Sequence, residues 1–175
     1  MKLFTSTIQT LLAFTFFGLA ACNPSVSIDG DAFAGEQKPE ATYRSEPAMG
    51  VINSTQWQFQ SGSAKLWYGD DSRISLNFYG ESLEDPCAPF IYGKSSVITG
   101  VPAVVGETVL GQMPNIETAT FAYSDATGTS ANLIATEGRI AITSISDEEV
   151  SGFIIAKYDG ANHINGSFRL KMCPR

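Results

Sequence analysis

The chain has 175 residues, a length that suits one domain. It is 43% hydrophobic and only 17% charged, with 16 glycines, a balance that fits an exported all-β protein better than a helical one. A formal charge of −7 and the lack of any Lys/Arg cluster argue against nucleic acid as a partner, because phosphate contacts need such clusters.

Residues 1–22 read as an export signal. Lys2 supplies the positive start, and the run from Leu11 to Gly18 is a short apolar core. A membrane-spanning helix needs about 20 apolar residues, and Thr5, Ser6, Thr7, Gln9 and Thr10 interrupt this one. The segment closes on Leu19-Ala20-Ala21-Cys22. That tetrapeptide resembles the lipobox of bacterial lipoproteins: an aliphatic residue, two small ones, then an obligatory cysteine. The resemblance covers residues 1–22 alone. It implies removal of residues 1–21, diacylglycerol on the Cys22 sulfur and an acyl chain such as palmitate on its new amino group. Cysteine is required because a thiolate is the nucleophile that takes the lipid. Several acyl chains, at about 0.8 kcal/mol per buried CH₂, hold far better than one. Asn23, standing where Asp would favour the inner membrane, leans toward the outer membrane under the same resemblance. The competing reading is an ordinary secretory cut near Gly18-Leu19-Ala20 that leaves a soluble protein.

Residues 22–50 read as a lipidated cysteine and flexible tether. Apolar residues are sparse there, and Pro24, Pro39, Pro47, Gly30 and Gly35 break any regular element. As a coil such a segment spans roughly 30 Å. Asp29-Gly30-Asp31 lacks the spacing and closing Glu of a calcium loop.

Residues 51–175 read as a single β-domain. Arg73 to Phe78 and Ile164 to Met172 alternate polar and apolar residues, which puts one face in a core and the other in water. Further strands are expected at 56–60, 64–68, 91–98, 104–110, 118–124, 131–136, 139–145 and 150–158, separated by Gly, Asp and Ser turns. The fold class is therefore all-β: an antiparallel sandwich or barrel of about eight to ten short strands. The last four strands are expected to form a meander, with Glu137-Gly138 as a tight hairpin turn. Pairing Tyr158 with Ile164 would set Gly152 opposite Leu170, Ile154 opposite Phe168 and Ala156 opposite Gly166. Phe153 and Ile155 then face the other way, with Ile140 and Ile142 expected beside them. That second apolar face is either covered by chain or left open for a partner.

Once Cys22 is assigned to lipid, Cys87 and Cys173 remain, and an even pair in an exported chain reads as one disulfide. The alternative is two free thiols. No Cys-x-x-Cys motif is present.

Catalytic patterns are sparse. His163 is the only imidazole and is expected in a turn, so neither a zinc site nor a Ser-His-Asp triad is supported. Gly-x-Ser-x-Gly, Ser-x-x-Lys and phosphate-loop patterns are absent. Loop carboxylates occur at Asp70-Asp71, at Glu81 with Glu84-Asp85, and at Asp147-Glu148-Glu149. A glycosidase would need two of them to converge across a cleft. Trp57, Trp67 and Phe78 are core residues on the plainer reading, or ligand-facing aromatics if a cavity exists. No lipocalin-type Gly-x-Trp is present, since Trp57 follows Thr55-Gln56.

These observations lead to a lipid-anchored envelope lipoprotein with a non-enzymatic binding or structural domain, and no cofactor. Its expected partners are the membrane, through Cys22, and either an envelope protein or a small apolar ligand. A barrel-type carrier of an apolar ligand is the first alternative. A hydrolase using loop carboxylates is the second.

Overall fold

A computed structural model describes residues 42–88, 95–111, 117–124 and 127–174. The signal segment, Cys22 and the first part of the tether lie outside the described residues. Eleven strands and no helix occur among those described: β1 (Met49–Ile52), β2 (Thr55–Gln58), β3 (Ser61–Trp67), β4 (Asp70–Tyr79), β5 (Ser95–Pro102), β6 (Gly106–Gly111), β7 (Thr118–Ser124), β8 (Ser130–Ile134), β9 (Glu137–Ile145), β10 (Glu149–Asp159) and β11 (Asn162–Met172).

Nine strands follow the order β6-β9-β10-β11-β3-β4-β5-β7-β8. The sheet nearly closes because the chain changes neighbour between β8 and β9. The Ala135 amide donates to Ala119 O on β7 at 2.7 Å, and the next amide, Thr136, donates to Lys157 O on β10 at 2.8 Å. Two consecutive residues thus bridge β7 and β10, Gly111 N at the end of β6 donates to Glu117 O just before β7 at 3.1 Å, and the result is barrel-like. Closure of this kind removes most of the exposed sheet edge.

The long edge of β11 is shared. Residues 163–165 pair antiparallel with β1, and Lys171 and Met172 pair with Ser63 and Ala64 of β3 in parallel. The β1–β2 hairpin is the wedge between them. Its two turn residues, Asn53 and Ser54, have φ of 50° and 59°, the double left-handed geometry of the turn that matches strand twist.

The period-two pattern sends one residue set inward on every wall. Ile74, Leu76 and Phe78 of β4, Val97 and Val101 of β5, Ile140 and Ile142 of β9, Val150 and Ile154 of β10, and Ile164, Phe168 and Leu170 of β11 are all buried. Fully burying a side chain of this size contributes about 1.5–3 kcal/mol. Phe78 sits at the centre, edge-on to Phe168 at 5.2 Å and to Phe59 at 6.0 Å between ring centroids. Gly152 makes room for this cluster. A Cβ there would lie 2.0 Å from Ala141 O and 2.8 Å from the Phe168 ring.

Several expectations are corrected. Glu137 and Gly138 do not form a hairpin turn; they lie inside β9, paired with Lys157 and Ala156 of β10. The meander therefore has three strands, because β8 pairs with β7 instead of β9. The β10–β11 register differs from expectation by two residues, with Gly152 opposite Phe168 and Ala156 opposite Ile164. A two-residue slip keeps every side chain on its face, so the inward set was read correctly. Ile140 pairs with Ile154, so Ile140 and Ile142 point into the core and do not join Phe153. His163 lies in β11 opposite Lys157, not in a turn. The pairings are antiparallel apart from the short β3–β11 contact and a Pro47–Ser167 bridge, so the sheet is mixed. Chain is bound to the barrel earlier than residue 51: Ala48 N donates to Ser167 O at 2.8 Å, and Ser167 N donates to Glu46 O at 2.7 Å.

Candidate functional site

Trp57, Trp67 and Phe78 fall in three separate environments and line no common cavity. Phe78 is fully enclosed in the barrel core. Trp57 is buried, with its indole N–H directed at Ser95 O at 3.4 Å and its ring filling the space beside Gly80. Trp67 lies on the outside, 40% exposed. The Arg73 guanidinium stacks on its ring at 4.6 Å and also pairs with Glu117 at 3.0 Å. The barrel interior is occupied by side chains, so concave sites are to be sought on the outer surface.

One such site is an open groove of about 440 Å³ beside the Pro47–Ser167 bridge. Phe59, Phe153 and Phe168 give it an apolar lining, and Ser151, Ser167 and Arg169 give it a polar rim. Arg169 is not free there, because its Nε lies 3.5 Å from Glu149.

The outer face of β9, β10 and β11 is crossed by the arm 42–46. Asn165 fixes it from both sides, accepting from Arg44 N at 3.1 Å and donating to Thr42 O at 3.0 Å. The Tyr43 ring packs on Phe153 at 5.7 Å, beneath the Arg139 guanidinium at 4.9 Å. Its hydroxyl donates to Glu107 at 2.9 Å. Burial of the ring, then the bond to Glu107 and its charge, push the Tyr43 hydroxyl well above the ordinary tyrosine range. This arm is the cover expected over Phe153, and it comes from the segment read as tether.

A second feature was not legible beforehand. The β3–β4 turn and the segment between β5 and β6 lie side by side, tied by Ala103 N donating to Ser72 O at 2.8 Å. Tyr68 at the first is fully exposed, and Val104 and Val105 at the second are 61% and 63% exposed. Val109, on β6 just beyond, is also exposed. The sequence assigned 104–110 to a strand, which hid the two valines as ordinary strand residues. Two adjacent valines before Gly106, where strict alternation fails, were the available signal.

Three of the carboxylates expected in loops have side-chain partners, and Asp70, Asp71 and Glu149 lie in strands β4 and β10 and not in loops. Asp70 accepts from the Ser72 hydroxyl and amide, which holds its carboxyl below the usual range. Asp85 accepts from Cys87 N and from Lys171 at 3.2 Å each, with the same effect. Glu149 pairs with Arg169. Among the described residues no group of three or more His, Cys, Asp or Glu side chains could hold a metal ion. Cys87 and Cys173 form a disulfide with Cα atoms 5.5 Å apart, tying the end of β11 to the chain after β4. Compared with protein-family models, curated proteins and solved structures, the chain finds no match.

Proposed function

We propose that this chain is a cell-envelope lipoprotein, acylated at Cys22, whose barrel is a non-enzymatic binding or structural module. The observation that carries the reading is Leu19-Ala20-Ala21-Cys22 at the end of a short apolar segment. The cysteine count supports it. The chain has three cysteines, and Cys87 and Cys173 are bonded to each other, which leaves Cys22 as the unmatched thiol. Acylation gives that thiol a use in an oxidising compartment. Asn23 favours the outer membrane over the inner one. A packed interior around Phe78 favours a module that works through its surface over an internal carrier.

Membrane fractionation of Cys22→Ser, exported behind an ordinary cleavable secretory signal in place of residues 1–21, tests this. The wild-type protein should sediment with membranes and the variant should appear in the soluble fraction. Continued membrane association of the variant would overturn the reading.

A further inference from the structure

We propose that the flank carrying Trp67, Tyr68, Val104, Val105 and Val109 rests on a bilayer surface of zwitterionic lipid. The inference rests on the lipid-anchor reading and deepens it: the anchor brings the barrel to the membrane, and this flank makes the contact.

The argument begins with where exposed apolar side chains occur. Six large hydrophobic residues are exposed among those described: Trp67, Tyr68, Val104, Val105, Val109 and Ile134. Five of the six belong to two neighbouring chain segments, joined through Ala103 N and Ser72 O. Scattered single hydrophobes on a surface need no explanation, but a contiguous group does. The residue types also matter. Trp and Tyr are enriched at the level of lipid headgroups, where one end of the ring is apolar and the other wet. Trp67 is held in place by Arg73 and by the backbone at Gly100, where an added Cβ would come within 2.9 Å of the indole. A ring already fixed loses little freedom on contact.

The root of the tether lies beside this flank. Glu107 and Val109 share the outer face of β6 by the two-residue period. Glu107 accepts from Tyr43, so the first described residues of the chain sit next to Val109 and two residues from Val105, which ends the bend before β6. Between Cys22 and Thr42 run about 20 residues, a length of chain that reaches at most about 70 Å. A tether of that length raises the local concentration of the flank at the bilayer to about the millimolar level, so a weak intrinsic affinity suffices. Charge selects the lipid. Asp70 and Asp71 open β4 directly after the Tyr68-Gly69 turn, and like charge would repel an anionic surface.

The test uses the two tryptophans. Processed, acylated protein and a Cys22→Ser form that begins at residue 22 are mixed with phosphatidylcholine vesicles containing bromine-labelled acyl chains, which quench nearby indoles. Trp57 is buried in the barrel and Trp67 is exposed, so Trp67→Phe identifies the source of any quenching. The acylated protein should float with the vesicles and lose more than half of its Trp67 emission. The triple variant Tyr68→Ser, Val104→Ser, Val105→Ser should float equally and lose several-fold less. Replacing a third of the lipid with phosphatidylglycerol should weaken quenching of the Cys22→Ser form, which reads the flank without the anchor and needs higher vesicle concentrations. Flotation with unquenched Trp67 would overturn the membrane contact and leave the flank to a protein partner. Quenching at high vesicle concentration without flotation would uphold the flank and overturn the anchor.

Discussion

The two turn regions at opposite ends of the β3 and β11 strands are built on different chemistry. At one, Asn53-Ser54 and Asp159–Asn162 are polar and stitched together. The buried Asn162 side chain accepts from Asn53 N at 2.9 Å and donates to Asp159 at 3.0 Å, and Ser54 N donates to Ala161 O at 3.1 Å. At the other, Tyr68, Val104 and Val105 point outward. The first region spends its polar groups on holding the barrel together. The second leaves apolar surface unused by the fold, and surface that the fold does not use is where an external contact is to be sought. Substitutions should therefore separate cleanly, with stability lost at the stitched turns and surface behaviour lost at the exposed ones.

The largest effect lies outside both turn regions and sets the scale for comparing them. Replacing Cys87 and Cys173 together by Ala removes a bridge between positions 86 residues apart, which should cost about 4–5 kcal/mol on the chain-entropy account. Chemical denaturation of the oxidised protein against the variant checks this. At the stitched turns, Asn162→Leu should cost about 1–3 kcal/mol, because it leaves the Asn53 amide without its acceptor and takes one of two donors from Asp159, which keeps the Ala161 amide. Denaturation midpoints measure it, and a loss below about 0.5 kcal/mol would mean that the stitching is ornamental.

The arm gives a pH-dependent comparison. Tyr43 holds its proton to higher pH in the folded chain than in the unfolded one. Its contribution is then fully present below about pH 10, the ordinary tyrosine value, and is lost as pH rises above it. Stability of the wild type should fall above that pH more steeply than stability of Tyr43→Phe, as followed by denaturation at stepped alkaline pH. The smallest effect belongs to the exposed turns. The triple serine variant of Tyr68, Val104 and Val105 should change stability by no more than about 0.5 kcal/mol. A large loss there would show that these side chains serve the fold after all.

The sequence revealed strands better than it revealed partners. Alternation at Arg73–Phe78 and Ile164–Met172 located β4 and β11 because one face of each is buried. Face assignment on β10 survived a register error, since a shift of two residues preserves the pleat. The step from β7 to β10 at Ala135 and Thr136 was hidden because local pattern carries no information about which neighbour a strand takes. Glu137-Gly138 looks like a turn in isolation and becomes strand only because Lys157 and Ala156 lie opposite. The arm was missed for a related reason. Tyr43 belongs to a segment with the composition of a linker, and its order comes from long-range contacts with Phe153, Arg139 and Glu107. The disulfide was legible by counting, once Cys22 had been set aside. Trp57, Trp67 and Phe78 were indistinguishable in sequence, and only tertiary packing separates a core ring from a surface one.

The central claim is the modification of Cys22, and intact-mass and peptide mass spectrometry of protein purified from membranes tests it most directly. The account predicts an N-terminal peptide that begins at Cys22, with diacylglycerol on sulfur and a further acyl chain on nitrogen. A mature chain that begins elsewhere, or one with an unmodified thiol at Cys22, would contradict it.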